Sequence, residues 1–203
     1  LDKKIIKKEN KILKTTLNLK NEDKIFLFFG SIKEEKGINV LLESISNILN
    51  TYNLKNIQFI IAGKPHHNFD YNWIISKIDN YQKFKKIIHL DLNFISESKM
   101  LNYFFITNFV VLPYLNVSES GVFRLAQTFG KNVICSDLKE FSESINHGTN
   151  GFLFKSNDSD SLSKLIVNVL NKNSIELKKI SSNFKKEKFD WKDVAIKTVE
   201  LYK

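Results

Sequence analysis

The sequence predicts an α/β fold in which a doubly wound parallel sheet carries helices on both faces. Continuously apolar runs such as KIFLFF (Lys24–Phe29) and FVVL (Phe109–Leu112) are typical of strands buried on both faces. Amphipathic stretches about 10 to 15 residues long alternate with these runs, as they do in sheets built from strand–helix–strand units. Gly30, Gly63 and Pro113 close apolar runs and mark where the chain leaves the sheet.

The predicted elements alternate along the whole chain. Strands are predicted at Lys24–Phe29, Ile57–Ala62, Ile87–Leu90, Phe109–Leu112, Val133–Cys135 and Gly151–Phe154. Helices are predicted at Ile38–Leu49, Asn72–Lys85, Ser96–Ile106, Val122–Phe129, Leu138–Asn146, Ser161–Lys172, Ser174–Lys186 and Asp190–Tyr202. This order predicts a Rossmann-like sheet with extra C-terminal helices. We divide the chain into residues 1–23, a linker or leading helix, and residues 24–203, one domain.

The composition is that of a globular protein, with 203 residues, 42% hydrophobic and 26% charged. Its formal net charge is +9, but Arg124 is the only arginine, and direct base readout relies on arginine forks. We therefore discount nucleic acid, while a nucleotide or an anionic membrane surface is compatible with the charge. The single Cys135 lies in a predicted core strand, which excludes a disulfide framework and predicts a reducing compartment. We expect a cytoplasmic location, with the inner face of a membrane as a compatible one.

The stretch Asn108–Asp137 indicates where a ligand would bind. It predicts a strand, a loop, a helix that Gly130 ends, and a second strand. Ser118–Gly121 leads into that helix, whose first free N–H groups favour an anion, often a phosphate. In doubly wound sheets the ligand lies beyond the carboxyl ends of the strands, where the strand order reverses. The loops Gly30–Gly37 and Val117–Val122 are therefore the candidate binding loops.

Two segments carry a family resemblance. FFGSIKEEKGINVLLESI (Phe28–Ile45) has a strand, a glycine, a basic loop and a lysine–glycine pair ahead of a helix. FVVLPYLNVSESGVFRLAQTFGKNVICSD (Phe109–Asp137) has VLPY, SGV, and then an alanine and a glycine before an apolar strand. In their order and spacing these segments resemble the C-terminal, nucleotide-sugar-binding domain of the group 1 (family 4) retaining glycosyltransferases of GT-B architecture. The resemblance extends over roughly residues 24 to 202.

This resemblance implies hexosyl transfer from a nucleotide-sugar donor, with retention, to a glycan or a lipid-linked acceptor in surface polysaccharide biosynthesis. It implies the NDP-sugar as co-substrate, no other cofactor and no metal. In the family the C-terminal half binds the donor and a separate N-terminal half binds the acceptor. Because this chain matches only the donor half, we expect it to be inactive alone and the acceptor domain to precede Leu1.

The resemblance also implies a set of residues that bind the donor diphosphate. Lys36 matches the family's lysine, and Lys33 stands where a subgroup has arginine. We predict that both ammonium groups converge on the diphosphate, together with the N–H groups of Ser120, Gly121 and Val122. The alternative interpretations are a solvated charged turn for the lysines and a plain helix N-cap for the serine.

Further residues are implied for the rest of the donor. Gly30, Ser31 and Glu119 lie in the two candidate loops and are predicted to face the sugar, although Ser31 stands where many family members have arginine. Phe94 and Ile95 follow the third predicted strand, where the family places the nucleoside. No catalytic residue is assigned.

The family's glutamate pair, which flanks the second loop, is not reproduced. Alignment on Gly130 places Val117 and Leu125 at those positions, and Glu119 and Gln127 repeat the spacing two residues later, on another face of the helix. A non-catalytic nucleotide-sugar-binding module, or an inactive homologue, is therefore the second hypothesis. An epimerase-like or oxidoreductase domain is the third, weakened because no G-x-G-x-x-G follows the first strand.

Overall fold

A computed structural model describes the backbone of residues 3–186 and the side chains of residues 8–184. Its centre is a six-stranded sheet with strand order β3-β2-β1-β4-β5-β6, and every neighbouring pair is parallel. The chain builds one half of the sheet outward from β1 and then returns to build the other half from β4. The predicted doubly wound α/β fold is confirmed.

The strands are β1 (Lys24–Phe29), β2 (Ile57–Ala62), β3 (Ile88–Asp91), β4 (Phe109–Leu112), β5 (Asn132–Ser136) and β6 (Phe152–Phe154). The helices are α1 (Lys3–Thr16), α2 (Ile38–Thr51), α3 (Asn72–Asn80), α4 (Gln82–Lys85), α5 (Glu97–Ile106), α6 (Gly121–Thr128), α7 (Lys139–Ser142), α8 (Ser159–Leu170) and α9 (Ser174–Lys186). A short 3₁₀ turn, Glu34–Lys36, precedes α2.

The sheet separates two apolar cores, because successive side chains of a strand point to opposite faces. Phe26 and Phe28 belong to one core, with apolar residues of α2, α3 and α8. Ile25 and Leu27 belong to the other, with apolar residues of α5 and α6. Every residue of β4 and β5 is buried, as expected of strands covered on both faces.

Most predicted strands agree with the structure, but two helix predictions are wrong. β1, β2 and β4 have the predicted bounds, and β3 begins and ends one residue later than predicted. The single helix predicted over residues 72–85 is two helices, because Tyr81 is extended, with φ −115° and ψ 100°. The break lets the short α4 bury Phe84 in the core.

The helix predicted over residues 138–146 is also wrong in length, since α7 ends at Ser142. Asn150 redirects the chain that follows: its Oδ1 accepts from Asn146 N at 2.7 Å and its Nδ2 donates to Ser144 O at 3.0 Å. These bonds replace the helical ones and turn the chain toward β6. The helix predicted over residues 190–202 lies outside the described residues.

The leading segment forms α1, which packs against α5. Asn102 Nδ2 donates to Glu9 Oε2 at 3.1 Å, and Leu13 and Leu17 contact the core on that face of the sheet. The division into residues 1–23 and 24–203 stays a prediction. None of the described helices combines the length and the apolar character needed to cross a bilayer.

Candidate functional site

The strand order places the candidate site between β1 and β4. These strands are neighbours, but the chain reaches β4 only after β2 and β3 have been added on the other side of β1. In such sheets the usual ligand position is the crevice beyond the carboxyl edge at this point, where the strand order reverses.

Two close approaches join the loop after β1 to the elements that follow β4. A Cβ added to Gly30 would lie 3.2 Å from Val122 Cγ2, at the start of α6. A Cβ added to Gly37 would lie only 1.7 Å from Pro113 O, and Gly37 has φ +67°. A glycine is therefore required at position 37.

A main-chain hydrogen bond adds to this junction. Leu115 N donates to Glu35 O at 2.8 Å, so the loop after β4 is bonded to the 3₁₀ turn that carries Lys36. The predicted juxtaposition of the two candidate loops is thus present in the structure.

Lys36 is held against an aromatic ring that belongs to the other loop. Its Nζ lies 3.8 Å from the centroid of the Tyr114 ring, which makes a cation–π contact. Burial lowers the pKa of Lys36 below its usual value, Glu35 opposes that shift, and Lys33 adds to it. The half-buried ammonium keeps donors for a further acceptor, because one ammonium group has three hydrogens.

Tyr114 connects Lys36 to the start of α6. The Tyr114 side chain is 2% exposed, and burial raises its pKa to about 12, so the phenol is neutral at physiological pH. Ser120 Oγ donates to the Tyr114 hydroxyl at 3.5 Å, at the long limit of a hydrogen bond. Ser120 Oγ also accepts from Phe123 N at 3.2 Å, which makes Ser120 the N-cap of α6.

The backbone at the start of α6 is open to a ligand. Gly121 is exposed, and apart from its chain neighbours and the backbone of α6 no atom of the described residues lies within 4 Å of a Cβ added there. The first N–H groups of a helix lack acceptors within that helix, and the N-terminal end attracts negative charge. At the start of α6, Val122 thus lies beside Gly30, and Ser120 contacts the tyrosine whose ring holds Lys36.

Lys33 and Lys36 have different partners in the structure, and the convergence of their ammonium groups on a diphosphate stays a prediction. Lys33 Nζ forms an ion pair with Glu35 Oε1 at 2.6 Å, and the hydrogen bond from Lys33 lowers the pKa of Glu35. Lys36 instead contacts the Tyr114 ring, although Lys33 lies close enough to lower the pKa of Lys36.

The Lys33 side borders a second concavity of about 420 Å³, lined by Lys33, Glu34, Glu35, His66, Asn68, Phe69 and Leu115. Its lining does not include Ser120, Gly121 or Val122. We place the candidate site at the crevice instead, because Lys36 stacks on Tyr114 and Tyr114 contacts Ser120, the N-cap of α6. Ser31 is exposed at the start of the loop that follows β1.

The positions of the family's glutamate pair are occupied by packed apolar side chains. Val117 is 7% exposed and Leu125 is half-buried, and both contact one of the cores. Glu119 and Gln127, which repeat the spacing of the glutamate pair, have different surroundings. Glu119 is exposed in the loop, whereas Gln127 is buried and its Nε2 donates to Phe184 O at 3.1 Å. The interpretation that this spacing is a coincidence agrees with the structure.

The loop after β3 presents one aromatic side chain to solvent. Phe94 is 82% exposed, whereas its neighbour Ile95 is half-buried and packs against one of the cores. Ile95 therefore anchors the loop while Phe94 stays available for contact.

Sequence reasoning missed Tyr114 and Asp91. Tyr114 directly follows the proline after β4, and Asp91 is an acidic residue at the end of β3. An aromatic or acidic residue at the carboxyl end of a parallel strand is the signal that could have found both.

Comparisons with known proteins identify the family and the fold. The family model described as Glycosyl transferases group 1 matches residues 9–187. An uncharacterized glycosyltransferase of Methanocaldococcus jannaschii is 27% identical over 199 residues, covering 96% of this chain and 49% of the relative. The chain thus spans about half the length of the curated relative it matches.

Solved structures share the fold. The chain superposes with a TM-score of 0.81 and 16% identity on Anabaena HepE in complex with UDP, covering 96% of this chain and 52% of that one. It superposes with a TM-score of 0.68 and 17% identity on the C-terminal domain of the group 1 family protein LpcC of Francisella tularensis, covering 80% and 83% of the two chains. A Rickettsia africae glycosyltransferase gives a TM-score of 0.76 and 17% identity, covering 100% and 52%.

Proposed function

The chain belongs to the glycosyl transferases of group 1, and from this premise we propose that it is the donor-binding half of such an enzyme. The observation that carries the proposal is the position of Lys36. Its ammonium is stacked on Tyr114 at 3.8 Å, and Tyr114 contacts Ser120, the N-cap of the open helix α6. One cation and the free amides of one helix therefore border the same crevice.

This arrangement suits a diphosphate leaving group. When a nucleotide-sugar loses its sugar, negative charge develops on the diphosphate oxygens, and fixed donors that face those oxygens stabilise the transition state. We propose that Lys36 balances this charge and that the N–H groups of Ser120, Gly121 and Val122 hold the diphosphate, without a metal ion. Their positions are set by the fold before the ligand arrives, which lowers the cost of ordering them.

Lys33 would bind the diphosphate after leaving its present partner, Glu35. Its ion pair with Glu35 leaves 37% and 45% of the two side chains exposed. Exposed pairs of this kind contribute about 0 to 1 kcal/mol, so a bound diphosphate could draw Lys33 away at little cost. Gly30, Ser31 and Glu119 border the space proposed for the sugar, and Phe94 and Ile95 the space proposed for the nucleoside.

The finer features of the activity are part of the proposal. They are family 4 membership, hexosyl transfer with retention, and a glycan or lipid-linked acceptor supplied by a separate acceptor-binding domain. The HepE structures were solved with UDP and with UDP-glucose, which supports a nucleoside diphosphate sugar as the donor here. We place the activity in surface polysaccharide biosynthesis on the cytoplasmic side of the membrane.

Titration of this chain with UDP, with GDP and with the corresponding nucleotide-sugars tests the proposal. We expect one nucleoside diphosphate to bind, and Lys36→Ala to weaken that binding by about 1.5–3 kcal/mol, the range for a hydrogen bond to a charged group. Lys20→Ala is the matched control, since Lys20 is an exposed lysine near the amino end of β1. Equal affinities for the wild type and Lys36→Ala would remove Lys36 from the site.

A non-catalytic nucleotide-sugar-binding module is the second candidate. It is favoured by Val117 and Leu125, whose apolar side chains can neither accept a ribose hydroxyl nor assist at the sugar. Both candidates predict donor binding, so turnover separates them. It must be measured with the acceptor-binding domain present, since this half alone is expected to be inactive.

A further inference from the structure

Asp91 collects three side-chain partners at the end of β3. Its carboxylate is buried, and Tyr103 Oη donates to Oδ2 at 2.8 Å. Lys99 Nζ lies 2.6 Å from the same oxygen, and Asn93 Nδ2 donates to Oδ1 at 3.2 Å. Its main-chain oxygen accepts from Gly63 N at 2.8 Å, which fixes Asp91 at the carboxyl edge of the sheet.

These partners span the loop that carries Phe94. Asn93 lies inside the loop, whereas Lys99 and Tyr103 lie on α5, one turn apart. The carboxylate therefore fastens the strand before the loop, the loop itself and the helix after it. Only residues 92–96 lie between β3 and α5, so little of the loop is left unrestrained.

The Asp91 carboxylate that holds these residues together is ionised. Burial alone would raise the pKa of Asp91, but the hydrogen bonds from Lys99, Tyr103 and Asn93 hold it below the usual value. Burial and then Asp91 raise the pKa of Tyr103, so the phenol keeps the proton that it donates. A charge-assisted hydrogen bond is stronger than a neutral one, and the cluster contains an ammonium beside the carboxylate.

The loop so fastened exposes an apolar ring. Phe94 is 82% exposed, although burial is the usual state of a large aromatic side chain. A ring kept in solvent on a restrained loop suits a planar partner that stacks on it, because aromatic rings pair in offset-stacked arrangements.

We propose that Asp91 is a positioning residue for donor binding, fixing the loop of residues 92–96 so that Phe94 faces the nucleoside of the donor. This proposal rests on the proposed function. Asp91 itself does not touch the ligand, and it acts through Asn93, Lys99 and Tyr103. The loop after β3 and the crevice beside Lys36 then hold opposite ends of one ligand.

Two ligands separate positioning from a merely structural role. The first is whichever of UDP and GDP binds the wild type, and the second is inorganic pyrophosphate, which lacks the nucleoside. We expect Asp91→Asn to weaken nucleoside diphosphate binding by about tenfold, as for the loss of one charge-assisted tie. Pyrophosphate affinity should stay within about twofold, since Lys36 and the α6 amides are untouched.

Asp23→Asn is the matched control, because Asp23 is equally buried, at 7% against 8% for Asp91. It stands near the amino end of β1, where its Oδ2 accepts from Lys20 N, and should change neither affinity. Phe94→Ala should reproduce the loss, and the double variant with Asp91→Asn should lose no more than either alone. If Asp91→Asn is poorly folded, Lys99→Met replaces it, since the Lys99 side chain is 45% exposed.

The outcomes are distinct. Equal weakening of both ligands would show a general structural role and overturn the proposal, as would an Asp91→Asn variant that binds the nucleoside diphosphate like the wild type. A wild type that binds neither UDP nor GDP overturns the proposed function, and this inference with it, before any variant is made.

Discussion

The ring beneath Lys36 gives the sharpest prediction about the site. Tyr114→Leu removes the aromatic face but keeps an apolar side chain, and Tyr114→Phe keeps the face and removes only the hydroxyl. We expect the leucine variant to bind the nucleoside diphosphate more weakly and the phenylalanine variant to bind it almost as the wild type does. The reason is that the ring, at 3.8 Å, orients the ammonium, whereas the hydroxyl makes only the 3.5 Å contact with Ser120.

The magnitude follows from the burial of the pair. Cation–π contacts contribute about 0.5–1 kcal/mol at exposed sites and about 2 kcal/mol when desolvated. Lys36 is half-buried over a ring that is 2% exposed, so we take about 1 kcal/mol, or about a fivefold loss of affinity. The loss of the hydroxyl contact should cost less than about twofold, because a contact at the limit of hydrogen-bond distance is weak.

Isothermal titration with the nucleoside diphosphate, below the unfolding temperature of every variant, measures both losses. A double-mutant cycle with Lys36→Met tests the cause: if the ring acts through the lysine, Tyr114→Leu should have little further effect in that background. Equal losses in the leucine and phenylalanine variants would refute the role of the ring. Tighter binding by the leucine variant would show that Lys36 must leave the ring to reach the ligand.

Two further predictions concern stability. In chemical denaturation, Gly37→Ala should lower the free energy of unfolding by clearly more than the control, Gly148→Ala. Both glycines have positive φ, but only a Cβ added at position 37 meets the backbone, at Pro113 O. The control should cost about 1–2 kcal/mol. Burial lowers the pKa of Lys131 to about 8, below the value of about 10.4 in the unfolded chain, so only the unfolded state keeps the proton between these values. Relative to Lys131→Met, the wild type should therefore gain about 1–3 kcal/mol of stability as the pH rises from 8 to 10.5; a flat difference would mean that the bonds to Phe105 O and Thr107 O cancel the burial cost.

The sheet could be predicted from the sequence because its strands are apolar on both faces. Lys24–Phe29, Ile57–Ala62 and Phe109–Leu112 have their predicted bounds, since a covered strand reads as a nearly continuous apolar run. The helix break at Tyr81 could not be predicted, because the apolar spacing continues through it and the extended backbone there is set by packing around Phe84. Local pattern shows which residues are buried, but not where a helix must bend to bury them.

The main-chain features of the site could be predicted from the sequence, whereas its side-chain contacts could not. Ser120–Val122 begin α6 as the sequence indicates, because an N-cap and a glycine are local signals. The different partners of Lys33 and Lys36 depend on a 3₁₀ turn and on a ring from a loop far away in sequence. Such contacts arise only when the fold brings β1 and β4 together, and a linear pattern does not contain them.

The two ends of the proposed ligand should respond differently to change, because they are fixed by different means. At the diphosphate end, Gly37 meets Pro113 and Leu115 N bonds to Glu35 O, so main-chain contacts lock the loops that carry Lys36. At the nucleoside end, the loop of Phe94 is held by side chains that converge on one carboxylate. Side-chain ties can be altered one at a time without a backbone clash, whereas main-chain contacts cannot. Substitutions around Asp91 should therefore tune which nucleoside binds, while substitutions at the β1–β4 junction should lower the stability of the whole domain before they change any preference.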